Sequence, residues 1–139
     1  MGRVINLEGA GKERKRLTRA VALALRELMQ QTEPNAKTRD LAAFISLALD
    51  AVYETIDESV GPWEKRGYWL KADRFRLEWT WTGHLGEAMR RAVLAENWGD
   101  VAAISAQVAE KLNGIKVAKH HRMGTPWEGA LERLKIKGD

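Results

Sequence analysis

Apolar side chains recur at spacings of three and four along most of this sequence, in runs bounded by glycine and proline. Such spacing lays one stripe along a helix and does not fit the two-residue alternation of a half-buried strand. The chain therefore reads as an all-α domain. Its 139 residues are the usual size of one domain and can close a core without covalent staples.

The punctuation divides the chain into helices. The first is expected from about Lys12 to Gln31, with Leu17, Val21, Ala24 and Leu28 as its stripe and Pro34 just beyond its end. The second starts near Thr38, an N-cap residue type, and carries Asp40 in its first turn. Its buried face is Leu41, Phe44, Ile45, Ala48, Leu49, Val52 and Ile56, and Gly61-Pro62 is its expected stop. The third begins between Pro62 and Trp69 and runs to about Glu96. Its two stripes, one through Leu70, Leu77 and Trp81 and one through Phe75, Trp79 and Met89, make it the expected centre of the domain. The fourth is capped by Asn97 with Asp100 and carries Val101, Ile104, Val108 and Leu112. Asn113-Gly114-Ile115 resembles a Schellman ending. The predicted fold is a four-helix bundle-like core, with residues 1–11 as a short extended arm and residues 115–139 as a basic segment followed by a short helix or tail. Thr125-Pro126 would open that last helix, and Trp127, Leu131 and Leu134 would dock it.

Several functional classes fall away. The absence of cysteine removes disulfides, iron–sulfur clusters and cysteine-based zinc sites, and fits a cytoplasmic protein. The longest mainly apolar stretch, Ala42 to Leu49, is too short for a membrane span, which needs about 18 residues. Gly9-Ala10-Gly11-Lys12 is not a phosphate loop, because Asn6 stands where the first glycine belongs and Glu13 where Ser or Thr belongs. Ser46, Ser59 and Ser105 lie in helical patterns without a nucleophile's tight turn. His120 and His121 lie in a basic stretch with no Asp or Glu beside them, and His84 has Glu87 three residues later but no Glu three residues before. Asp50, Glu54 and Asp57 share a helical face, but a di-iron bundle also needs Glu-x-x-His on other helices, and Trp81 occupies the Glu position before His84. No catalytic residue, metal or cofactor is expected. The acidic face reads as solvated, or as paired with the cations of helix one. Gly83 and Gly86, inside a helix, read as a close approach by a neighbour.

Two basic clusters remain. Lys12, Arg14, Lys15, Arg16 and Arg19 crowd the expected first turns of helix one, where the helix dipole disfavours cations. Lys65, Arg66, Lys71, Arg74 and Arg76 are interleaved with Trp63, Tyr68, Trp69 and Phe75, a mixture found on nucleic-acid surfaces. The segment from Lys116 to Arg122 is also basic. Charge is unevenly placed: residues 1–31 hold seven Lys/Arg against three Asp/Glu, and residues 32–62 hold two against six. The expected function is a non-catalytic helical interaction protein, a small basic subunit that contacts nucleic acid or another polyanion within a larger assembly. The first alternative is a self-associating scaffold or adaptor with protein partners only, and the second a carboxylate-metal helical enzyme. A protein partner or homo-oligomer is expected, and no membrane.

Overall fold

The structure is a computed structural model that describes residues 7–137, with side chains from Gly9 onward. The described residues form six helices: α1 (Leu7–Met29), α2 (Ala36–Lys65), α3 (Trp69–Trp79), α4 (Trp81–Leu94), α5 (Trp98–Lys111) and α6 (Ala130–Lys137). There is no strand among the described residues. The all-helical expectation holds. Residues 1–6 of the expected arm lie outside the described residues, but Leu7 to Gly11 are the first turn of α1.

The centre is α2, not the helix expected there. It packs against α1, α3, α4 and α6. Leu41 to Ser46 are buried without a break, so α2 has no wet side over those turns. Its N-terminus is capped three residues earlier than expected: the Asn35 side chain accepts from the Thr38 backbone N–H at 3.0 Å, and the Thr38 hydroxyl turns back to the Glu33 carbonyl. Its C-terminus lies beyond Gly61-Pro62. Pro62 takes a place inside the last turns, and the helix closes where the Tyr68 N–H reaches the Trp63 carbonyl and the Gly67 N–H reaches that of Glu64. This is a Schellman ending, with Gly67 at φ +78°.

The expected third helix is two helices. The ladder breaks at Thr80, where the Thr82 hydroxyl donates to the Trp79 carbonyl at 2.7 Å and the Gly83 N–H turns back to Thr80. α4 then lies along α2, while α3 packs only lightly, with Ala72 as its one buried residue. Trp81 is half-buried at the edge of the core rather than at its centre.

The turn between α4 and α5 is a second Schellman ending: Asn97 N–H to the Ala92 carbonyl, Glu96 N–H to Val93. Glu96 takes the left-handed position at φ 54°, and Arg39 of α2 binds its carboxylate. Asn97 caps α5 as expected, accepting from the Asp100 N–H at 3.1 Å. Gly114 is not in the left-handed region, so the Schellman motif expected there is absent. At the far end, the Asp40 carboxylate accepts from the Gly129 and Leu131 N–H groups and caps α6 from α2, and Trp127 is buried beside it. α6 therefore starts at Ala130 rather than at Pro126.

Gly83 and Gly86 bring α4 onto α2. A Cβ at Gly86 would lie 2.6 Å from Asp50 Oδ1 and 3.3 Å from Leu49 Cβ, and the Gly86 carbonyl accepts from the buried Ser46 hydroxyl. A Cβ at Gly83 would meet the Tyr53 ring at 2.7 Å, but Tyr53 is about half exposed and can swing outward. Gly86→Val is expected to cost about 1–3 kcal/mol by overpacking. Gly83→Ala should cost less than about 1 kcal/mol, since helix propensity offsets the displaced ring. Denaturant melts of the two variants check this ordering, and equal losses would contradict it.

Candidate functional site

α1 starts at Leu7, so Lys12 is in its second turn, beyond the reach of the dipole at the helix start. The electrostatic problem of this cluster is mutual repulsion instead. At 100° per residue, Lys12, Lys15, Arg16 and Arg19 fall within about 100° of one another. They make like-charge neighbours at spacings of three and four, each pair costing about 0.2–0.5 kcal/mol. All four are exposed. Glu13 binds Arg16, and among the described residues no ion pair neutralises Lys12, Lys15 or Arg19.

Arg14 does not belong to this ridge. It lies about 150° around the helix from the middle of the ridge and points into the fold. It donates to the Thr55 hydroxyl at 3.1 Å and to Ser59 at 2.9 Å, both on α2, and its guanidinium sits 4.6 Å from the Phe75 ring centroid and 5.4 Å from that of Trp79. Burial pushes its pKa below the usual arginine value, against the pull of the nearby Glu78 carboxylate. Arg14 thus ties α1, α2 and α3 together.

The segment after α5 extends the ridge. The Val117 carbonyl accepts from Arg26 at 3.0 Å, and Met123 closes a hollow of about 220 Å³ with Lys12, Lys15, Arg16 and Arg19. Between those two anchors the chain runs back along α1. It carries Lys119, His120 and Arg122, all exposed, with Lys116 just before them. His121 is half-buried and its Nδ1 accepts from the Met123 N–H. Sequence reasoning noted this segment as basic but did not bring it to α1. The one available signal was a run of cations from Lys116 to Arg122 with no carboxylate in it.

The second cluster gathers where α2 ends and α3 begins. Trp63, Tyr68, Trp69, Lys71, Arg74 and Phe75 line a hollow of about 670 Å³. Trp63 and Phe75 meet edge to face at 5.4 Å, and the Lys71 ammonium lies 4.4 Å from the Trp63 ring centroid. Lys65, Arg66 and Arg74 are exposed and, among the described residues, in no ion pair. Arg76 is committed internally, at 2.8 Å from Asp57 and 3.3 Å from Glu64.

The acidic face of α2 does not neutralise the α1 ridge. Asp50 and Glu54 face Lys137, at 4.0 and 3.9 Å, and Asp57 faces Arg76. Among the described residues no three His, Asp or Glu side chains stand together as metal ligands. A third hollow of about 580 Å³, between α1 and α5, is lined by Leu25, Leu28, Met29, Val101 and Ala106 with no Lys or Arg, so it offers an anion nothing to grip. No helix among the described residues is long and apolar enough to cross a membrane. Comparison with known protein families, curated proteins and solved structures gave no match, so geometry alone carries the functional reading.

Two outcomes are expected from these placements. Arg14→Ala should cost about 1–3 kcal/mol in a denaturant melt, because it leaves the buried Ser59 hydroxyl without its partner and strips the Phe75 face. Asp50→Asn should raise the melting temperature at pH 7. Burial is the main cause that lifts the Asp50 pKa, with Glu87 and Glu54 adding to it and Lys137 and Arg90 opposing. A folded-state pKa above the unfolded value makes stability fall as pH rises through that window, so the charged form is the penalised one. The gain from Asp50→Asn should therefore shrink as pH falls through the raised folded-state pKa and wild-type Asp50 takes up its own proton. A gain that is absent at pH 7 or grows on acidification would contradict the sign.

Proposed function

We propose that this protein is a non-catalytic helical module that holds the phosphate backbone of a nucleic acid against the α1 ridge and the strip from Lys116 to Arg122. One observation carries the reading: four cations share one face of α1, the acidic face of α2 is engaged elsewhere, and a second basic segment is laid beside them. A ridge of mutually repelling, solvated cations gains from a polyanion twice, through attraction and through relief of repulsion. The ridge supplies point charges around one small hollow of about 220 Å³ that no aromatic ring lines, which suits contact with a backbone rather than recognition of bases. As a small basic module of this kind, the protein would serve as one subunit of a larger assembly on nucleic acid.

The test is fluorescence anisotropy with labelled RNA and DNA over a salt series, for wild type and for Lys12, Lys15, Arg16 and Arg19 changed together to Gln. Four phosphate contacts on a duplex give a log–log slope of affinity against salt near about −4, at about −0.9 per contact. The quadruple variant should bind weakly and lose most of that slope, without loss of melting temperature. Wild type that binds neither nucleic acid in low salt, or a variant with unchanged affinity and slope, would falsify the reading.

A further inference from the structure

The ending of α2 aims aromatic rings at water. Gly67 at φ +78° reverses the chain, and Tyr68, Trp69 and Leu70 emerge 53%, 60% and 64% exposed. The fold has an apolar floor next to them, where Trp63 and Phe75 pack with Ile56, Val60 and Ala72, yet neither exposed ring is drawn into it. Leaving a tryptophan and a tyrosine in water forgoes some of the largest burial gains available to a side chain. The cations around them have the same character. Lys65, Arg66 and Arg74 are exposed and, among the described residues, in no ion pair, and Lys71 covers Trp63. Glu78 also lines the hollow, and its charge acts on Arg14.

Rings with open faces, spaced among unpaired cations along a concave surface, match the chemistry of unpaired nucleotides: each base offers a π-face and each linkage a negative charge. A duplex cannot use the rings, because its base faces are already stacked on one another. A purely apolar protein surface would leave the cations without partners. We propose that the hollow between the end of α2 and α3 is a stacking site for unpaired nucleotides, with Trp69 and Tyr68 as the platforms and Lys65, Arg66, Lys71 and Arg74 as the phosphate contacts. This rests on the nucleic-acid reading above and adds to it that the nucleic acid is single-stranded where it crosses α3.

The experiment measures affinity for a labelled 12-nucleotide oligo(dT) and oligo(U), and for a blunt DNA duplex, with tryptophan fluorescence of the protein as a second readout. The proteins are wild type, Trp69→Ala, Tyr68→Ala, Trp69→Phe and the α1 quadruple variant. Both aromatic positions are exposed, and melts confirm that each variant is folded. The single strands should quench wild-type fluorescence. Trp69→Ala should weaken single-strand binding about 5- to 150-fold, the worth of one stacked base, should lose most of the quenching, and should leave duplex affinity unchanged. Trp69→Phe should keep much of the affinity, and the α1 quadruple variant should weaken both ligands. Equal effects of Trp69→Ala on single strand and duplex, or no effect on either, overturn the stacking site and leave the α1 reading standing. Single-strand binding that needs Trp69 but ignores the α1 cations overturns the α1 reading and supports this one. A wild-type dimer by size-exclusion mass that dissociates in Trp69→Ala, with single-strand affinity unchanged, makes the hollow a self-association surface and overturns the proposal. Absence of any nucleic-acid binding overturns both.

Discussion

Burial of α2 on all sides is the constraint on which the rest of the structure depends. A helix with no wet face over Leu41 to Ser46 must be covered from several directions, and α1, α4 and α6 supply the cover. α4 approaches closely, because glycine at position 86 lets its backbone come within reach of Leu49 and Asp50. That closeness exacts a polar obligation, met by the Ser46 hydroxyl on the Gly86 carbonyl. Other buried hydroxyls are met locally, by a carbonyl three residues back: Thr55 on Val52 and Thr82 on Trp79. Ser105 is the exception among the described residues: its oxygen is buried in α5 with no partner.

Arg14 is the hinge between core and surface. Without its inward turn, α1 would present five cations, and α3 would be held to α2 by Ala72, the Phe75–Trp63 ring contact and the Arg76 ion pairs but would have no tie through Arg14 to α1. With it, a charged side chain is used as structure: hydroxyls from α2 fill its donors and two rings from α3 cover its face. The cost of burying the charge appears as its lowered pKa. One residue of the basic run therefore fixes where α3 sits, and so also where the rings at the start of α3 stand relative to the ridge.

Fold class, the Asn97 cap and the close approach at Gly83 and Gly86 were legible in the sequence, because each rests on local chemistry. The errors share a different cause. Gly61-Pro62 looked like a stop, but proline removes only one N–H from the helical ladder and α2 runs on past it to Lys65, and the true stop is Gly67, whose φ of +78° favours glycine. Glu96 occupies a left-handed position that local propensity would assign to glycine, because Asn97 and Arg39 fix the turn from both sides. The apolar run from Ala42 to Leu49 carried the information that α2 is central, but a length criterion for membranes uses only how long such a run is, not how many sides it covers. At the candidate site, Lys12, Lys15, Arg16 and Arg19 follow from helical spacing alone. The same spacing sets Arg14 off the ridge, but its partners on α2 and α3 and the return of residues 117–123 along α1 are contacts over long sequence separations, and no local pattern encodes them.

The chain carries only a small excess of positive charge, so the exposed ridge is a matter of placement rather than of total. The carboxylates of α2 could have neutralised α1, its most extensively packed neighbour. Instead Asp40 caps α6, Asp50 and Glu54 face Lys137, and Asp57 joins Glu64 on Arg76. None of these engagements is with a cation of the ridge. What faces the ridge is the strip from Lys116 to Arg122, which raises the local potential rather than lowering it. At physiological salt, exposed charges are screened beyond about 8 Å, so the distant carboxylates give the ridge little relief. On the proposed reading, that relief comes from an anion close to α1, where a backbone that repeats its charge every few ångströms meets several of these cations at once.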